Sequence, residues 1–510
     1  MGFRRFLKAC VVLIMTALPL VAVERGDGVL YVDCNNDSSH QDGSSWKHAY
    51  SDLQHALTKA ECDYDISQIK IACGVYKPSK TYSPKDAQGN PVVDGAMSLP
   101  QYNPGIDNDG NLLNYADNPS FYNHKLRTFQ LVDGVDLIGG YCVKHDKGCK
   151  AKNSCCRTVL DGNLGTEENP DRVWHVLLAG NDLTIQGVSC NLVNLTLQNG
   201  DASAAPYFPI NYFLDPGQVP VYYHDDGAGL FVTCKSFINL YDVTVQHSNA
   251  IAGSGVYADD GSIIKFTRCT FNDNTGFDGA AIMIRSGGAH DNVDFNHRTS
   301  TSVIKDCVFT NNNGFNFGTI GAYDNYSDPD LGPNLKIVGC TFRDTTPFGI
   351  ISTFSCNLQV LDCEIDNLGI EGGLGIYVGT PTFTKVCKTT IKNNNNTNAF
   401  PGGAISIRTP RILNNLVEIS GCIFTNNTTV DAEGGAISLR SVDFPIQATV
   451  KCNVFKNNES TVAGGAIYLS NAVVSNNICK DNTFEGNAAP VGPNIFAESD
   501  VYLPSPCRAN

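Results

Sequence analysis

Along most of the chain, apolar residues alternate with polar ones in short runs that return at near-constant spacing. Around Cys422, Val417 and Ile419 stand five and three positions earlier and Phe424 two positions later. The same offsets give Ile264, Phe266, Cys269 and Phe271, then Ile304, Cys307 and Phe309, then Leu335, Ile337, Cys340 and Phe342, then Leu358, Val360, Cys363 and Ile365. Upstream the columns continue through Ile238, Leu240, Val243 and Val245, and through Leu192, Leu195 and Leu197. Period two puts these residues on one face of short strands and sends Lys265, Arg268, Lys305 and Lys336 to the other, whereas a helix would need a period near 3.6. Strands this short cannot bury an apolar face alone. Successive repeats must therefore stack, like residue over like, at roughly 4.8 Å. The pattern predicts an all-β fold, a right-handed parallel β-helix, with the hand taken from the preference of parallel crossovers. About nine or ten rungs fit between residues 195 and 484, a stack roughly 45 Å long.

The turns repeat as well. Gly402-Gly403-Ala404-Ile405, Gly434-Gly435-Ala436-Ile437 and Gly464-Gly465-Ala466-Ile467 recur at intervals of 32 and 30 residues. Phe-x-x-Asn runs from Phe271 to Asn274, Phe309 to Asn312, Phe424 to Asn427, Phe455 to Asn458 and Phe484 to Asn487. Asparagine tolerates left-handed turn conformations and stacks into amide ladders, so Asn311 to Asn313, Asn393 to Asn396, Asn426 with Asn427 and Asn457 with Asn458 are expected corners.

Residues 24–190 read as an N-terminal cap with the first rungs, and 191–510 as the repeats proper. In the cap, 29–32, 69–71 and 129–138 are strand candidates. Trp46, Tyr50, Leu53, Ala56, Leu57 and Ala60 space as one face of a helix over 44–60, suited to closing the apolar end of the coil. Polar insertions at 77–125, 201–226 and 287–301 are expected to be loops.

Arg4, Arg5 and Lys8 precede an apolar run over 9–23, the pattern of a secretory signal peptide and too short for a stable span. No later run is long enough to cross a membrane as a helix, so a secreted or cell-surface protein is expected. Loss of that segment takes the formal charge from −15 to about −18, which disfavours nucleic acid and anionic membrane as partners. Of the 20 cysteines, all but one follow it, consistent with an oxidising compartment and at least some disulfides. Cys142, Cys149, Cys155 and Cys156 crowd one stretch and are expected to staple the cap. Cys269, Cys307, Cys340, Cys363, Cys387, Cys422, Cys452 and Cys479 fall on or near the inward column. Stacked rungs separate their Cβ atoms by about 4.8 Å, slightly beyond disulfide reach, so buried free thiols acting as small apolar fillers are expected. A straight row without histidine does not converge on a metal, and no metal or other cofactor is called for apart from a possible calcium ion.

The Gly-Gly-Ala-Ile and Phe-x-x-Asn repeats resemble those of the chlamydial polymorphic membrane proteins. Residues 27–199 look like the N-terminal region of secreted right-handed β-helix proteins of the pectin-lyase-like superfamily. The first resemblance implies a surface passenger linked to adhesion, though without the membrane-anchoring barrel that those proteins carry after it, so release or non-covalent attachment is expected. The second implies a carbohydrate-active enzyme, a polysaccharide lyase or glycoside hydrolase.

Cleavage of polysaccharide in such a fold needs a carboxylate pair about the glycosidic bond, or a cationic base with calcium. Only pieces of this are visible. His224, Asp225 and Asp226 follow an aromatic segment ending in Tyr222 and Tyr223, with Asp259 and Asp260 about one rung later. Aromatic faces beside acids suit a sugar ring and a cation. Alignment on the glycines also puts Phe231, Tyr257, Met283, Tyr377, Ser406, Ser438 and Tyr468 in one outward column, with Arg285, Arg408 and Arg440 two residues further on. Such a stripe suits an extended anionic glycan or a partner protein. The reading favours an adhesin-like binding protein over an enzyme, since repeats account for the chain and no complete acid/base constellation does; a structural matrix or envelope component is the third possibility.

Overall fold

The computed structural model describes residues 26–80, 125, 127–143, 156–180, 187–203, 226–259, 261–286, 301–324, 333–343, 349–367, 373–381, 383–397, 400–409 and 415–503. The expected signal segment and most of the three insertions lie outside them. Three long sheets of 13, 12 and 12 strands run side by side, and each rung visits them in turn. In one rung, Ile263–Thr267 lies in sheet I, Thr270–Asn272 in sheet II and Ile282–Ser286 in sheet III. Neighbouring strands in these sheets are parallel, and beyond two register shifts in the cap, at Gly28/Val29 and Lys70/Ala72, they stay in register: Ile238 lies against Ile264, Phe266 against Ile304, and Phe271 against Phe309, which lies against Phe342. The chain is a parallel β-helix. Ten of the 12 strands of sheet II fall between Leu195–Gln198 and Thr483–Glu485, matching the rung count read from the sequence.

Inward columns make the core. Phe271, Phe309 and Phe342 are fully buried, with ring centroids 4.9 and 4.6 Å apart, and Phe424, Phe455 and Phe484 resume the stack at 4.9 and 5.1 Å. Each ring fully removed from water contributes roughly 1.5–3 kcal/mol.

Corners follow from the residues at them. Between sheets I and II a left-handed residue, such as Arg268, Asp306, Asp362 or Lys388, precedes a buried small side chain. The backbone N–H of Cys269 donates to Cys307 Sγ at 3.3 Å, that of Cys307 to Cys340 Sγ at 3.4 Å, and that of Cys340 to Cys363 Sγ at 3.4 Å. Thr389 and Asn453 occupy the same rank. These four thiols and Cys422 are buried and unbridged, as expected, and burial pushes the Cys422 thiol up to about 12. Three cysteines assigned to that column depart from it. Cys387 ends the strand Phe383–Cys387 half-buried, Cys452 takes the exposed left-handed position one residue before the rank, and Cys479 is disulfide-bonded.

At the next corner Asn311, Asn393, Asn426 and Asn457 are left-handed, and the following asparagine turns inward. Asn394 Nδ2 donates to Asn427 Oδ1 at 2.8 Å, Asn427 to Asn458 at 2.9 Å and Asn458 to Asn487 at 3.0 Å. In the Gly-Gly step the first glycine is left-handed, with φ of 87° at Gly402 and 79° at Gly434. The second touches the rung above: a Cβ on Gly403 would lie 2.2 Å from the Gly435 carbonyl oxygen.

The cap differs from expectation in two places. The helix spans only Leu53–Cys62, started by the Asp52 side chain accepting from the Gln54 N–H at 2.8 Å. Upstream, Tyr50 is held by backbone bonds to Tyr31 and Asp33, and Trp46 sits in a 3-10 turn edge-on to Tyr31 at 4.9 Å, so the apolar spacing there belongs to an extended crossing. Leu53, Ala56, Leu57 and Ala60 do close the end of the core. The stretch 129–138 is two strands, Phe129–Gln130 in sheet III and Asp136–Tyr141 in sheet I, turned at the left-handed Gly134. Cys156 bridges to Cys73, tying the cap to the first rungs; Cys142 is exposed, and Cys149 and Cys155 lie outside the described residues. No helix among the described residues is long and apolar enough to cross a membrane.

Candidate functional site on the outer face of sheet III

The outward column read from the glycines exists in the backbone. Phe231, Tyr257, Met283, Gly321, Ser352, Tyr377, Ser406, Ser438, Tyr468 and Phe496 are successive partners. Two residues on, Arg285, Tyr323, Phe354, Gly379, Arg408, Arg440 and Ser470 form the second column. Outward does not mean accessible, however, and the two halves of this face differ.

In the N-terminal half, the short strands Asn249–Ala252, Thr275–Asp278 and Asn313–Gly314 pair into a small sheet. Ala252 packs with Leu178, Phe231, Tyr257 and Met283 as a second apolar cluster, with Phe317 and Tyr323 against it. Tyr257, expected as an open ligand contact, is fully buried. Its hydroxyl donates to Asp259 Oδ2 at 2.9 Å and accepts from Arg285 Nη1 at 3.0 Å. Arg285 Nη1 also lies 3.7 Å from Asp226 Oδ2, and the guanidinium sits 4.6 Å from the Tyr323 ring centroid. Burial alone would lower the Arg285 pKa; Tyr257, Asp226 and Asp259 outweigh it and hold the guanidinium protonated. Asp278 faces the same arginine. Burial raises its carboxyl, against a hydrogen bond from Asn316 and the Arg285 charge, and its Oδ1 has no hydrogen-bond partner among the described residues. Behind them His175 is buried, its Nδ1 3.1 Å from the Gly227 carbonyl, and burial pushes its pKa down to about 4.

This half gathers carboxylates about one guanidinium, but Asp226 and Asp259 are covered and engaged, which makes the cluster an internal clasp. Tyr222, Tyr223, His224 and Asp225 lie outside the described residues, so only Asp226 of that candidate group is placed. No group of three or more acidic, histidine or cysteine side chains among the described residues is arranged to hold a metal ion. The sequence reading missed Asp278 and His175. A signal existed for the first, since Asp278-Gly279 repeats the Asp226-Gly227 step two rungs on.

The C-terminal half is open at its second column. Arg408 and Arg440 are exposed, directly opposite one another, and neither has an ion-pair or hydrogen-bond partner among the described residues. Tyr377, half-buried one rung before, has its phenol raised by burial against the pull of Arg408. Tyr468, one rung after Ser438, is buried and its hydroxyl bonds to Glu498, which also accepts from Ser470 at 2.8 Å. Ser438 is 1% exposed and its hydroxyl has no hydrogen-bond partner among the described residues.

A family model described as a right handed beta helix region matches residues 228–385. The matched segment carries the sealed half of this face and the start of the open one. With the all-parallel sheets it establishes the fold as an all-β, right-handed parallel β-helix built of repeats. No curated protein matches the chain.

Proposed function

We propose that this is an exported β-helix protein that works at a cell surface or outside the cell as an adhesin-like binder, taking its ligand along the open half of the outer face of sheet III. One observation carries the reading. Of three arginines in a single column, Arg285 is neutralised within the fold, while Arg408 and Arg440 stand exposed and unpaired on adjacent rungs. Like charges set directly opposite destabilise a sheet, so their pairing there is explained by an external anion. The ligand is then an anionic glycan or an acidic face of a partner protein. The resemblance to surface passengers and the apolar leader support export. Retention of the purified protein on immobilised polysaccharides, compared with Arg408→Ala/Arg440→Ala, tests it: equal retention of both proteins on every ligand found would remove the arginines from the interface.

A second reading is favoured by the other half of the face. Asp226, Asp259 and Asp278 gather about Arg285, and a carboxyl raised by burial, Asp278, near two further carboxylates is the kind of pairing that a glycoside hydrolase or lyase needs. It would require the small covering sheet to lift. Release of new chain ends from a polysaccharide, lost in Asp278→Asn, would establish it.

A further inference from the structure

Building on the binding role just proposed, we infer that Arg408, Arg440 and the Ser438 hydroxyl form a site for a tetrahedral oxyanion ester, a sulfate or phosphate group carried on an extended glycan. Arg408 and Arg440 are register partners in adjacent strands, Ile405–Thr409 and Ile437–Ser441, so their side chains leave the same face one rung apart, about 4.8 Å. The nearby acids do not neutralise them. Glu498 is taken by Tyr468 and Ser470, and Glu433 lies close enough to act on the Tyr468 phenol yet, among the described residues, neither arginine has an ion pair.

Ser438 supplies an independent sign. It stands two residues before Arg440 on the same outward face, and its buried hydroxyl has no partner among the described residues, while the hydroxyls of Thr409 and Ser441 bond to each other at 2.8 Å. A buried hydroxyl left unpaired costs free energy unless a ligand completes it. Gly434 explains how the serine is covered, because a Cβ there would sit 3.2 Å from the Ser438 Cβ.

The shape of the anion follows from the stacking. A guanidinium fork engages two oxygens in its own plane. Two forks related by translation along the coil axis approach one ligand from successive levels, and a hydroxyl adds a third direction. A carboxylate offers its lone pairs in one plane, whereas a sulfate or phosphate ester presents oxygens out of plane to all three. Tyr377 and Tyr468, one rung to either side, bound the site along the axis and direct the carrier chain along the coil.

The test uses the purified protein on four immobilised polymers: heparin for sulfate esters, a polyol-phosphate polymer for phosphate, polygalacturonate for carboxylate alone, and dextran as neutral control. Binding to heparin or to the phosphate polymer is expected to be at least about tenfold tighter than to polygalacturonate and competed by the matching inorganic anion; whichever binds tighter identifies the source. Arg408→Ala/Arg440→Ala should lose about tenfold or more with a melting temperature unchanged or raised, since the opposed charges repel each other. Ser438→Ala should weaken binding by about tenfold and leave the melting temperature unchanged or raised, since the unliganded hydroxyl has no bond to lose. Equal binding to polygalacturonate that vanishes in the double variant would overturn the tetrahedral assignment while leaving binding at this face intact. Retention on none of the polymers would overturn the oxyanion-ester site and move the binding role to the acidic face of a partner protein. A Ser438→Ala protein that melts lower and binds normally would make the hydroxyl structural and defeat its part in the site.

Discussion

At the residue scale the clearest contrast is between arginines that share a column. Arg285 is 16% exposed, and it compensates Asp226 at 4%. Its removal strands buried carboxylates, so Arg285→Ala should cost on the order of 3–5 kcal/mol, read as a shift of the denaturant midpoint. The corresponding alanine at the exposed Arg408 should leave the midpoint in place or raise it slightly, since it relieves repulsion from Arg440. His175 gives a pH signature. Its folded pKa, near 4, lies below the ordinary 6.5, so its contribution is full above 6.5 and falls as pH drops through 4. That shift corresponds to about 3 kcal/mol of acid destabilisation over the window. His175→Gln should flatten the melting-temperature profile between pH 6.5 and 4, and a profile identical to the wild type would remove His175 from the acid response.

At the element scale the rung is held at its corners. Asn427 donates to Ile391 O at 3.0 Å and to Asn458 Oδ1 at 2.9 Å, and accepts from Asn394 Nδ2 at 2.8 Å, all buried. Asn427→Ala removes all three bonds, although Asn394 Nδ2 keeps Lys392 O and Asn458 Oδ1 keeps the residue-427 N–H, a loss of about 1.5–4.5 kcal/mol by denaturant titration at roughly 0.5–1.5 kcal/mol for each bond. The ladder also bears on modification, since the Asn427 and Asn458 sequons are buried and a glycan there would break it. These corners were legible in the sequence because a stacked coil sets the same residue in the same place at every turn, so Phe424 to Asn427 announces Phe455 to Asn458. What the chain did not disclose is what lies outside the coil. The small sheet packs on Met283 and Tyr257 through Ala252, and its strands, such as Thr275–Asp278, are too short to show a period. A trace was present: Ile251, Phe277 and Phe315 each stand three residues after the corner residues Ser248, Asn274 and Asn312, and all three are exposed on the far side of that covering sheet, with Phe277 and Phe315 stacked at 5.3 Å. The cap helix was misjudged for a related reason, because Trp46 and Tyr50 keep helical spacing while the backbone pairing of Tyr50 with Tyr31 decides their conformation.

At the scale of the whole molecule, the protein is an acidic rod, formally −15, whose Arg408 and Arg440 lie side by side on one long face with no partner among the described residues. A local cationic site on an acidic body attracts anions over only about a Debye length, near 10 Å at 0.1 M salt, so retention should weaken steeply as salt rises and dextran should show no such slope. Rigidity would suit the proposed role: three parallel sheets sharing one continuous core would present ligand contacts at fixed rung spacing with little ordering left to do on binding. The most direct measurement incubates the protein with neutral and uronic-acid polysaccharides and heparin, with and without calcium, and records protein retained on each polymer together with new chain ends. Retention on an anionic polymer without new chain ends, independent of calcium and lost with Arg408 and Arg440, is the predicted result; new chain ends would contradict the binding account and move the function to Asp226, Asp259 and Asp278.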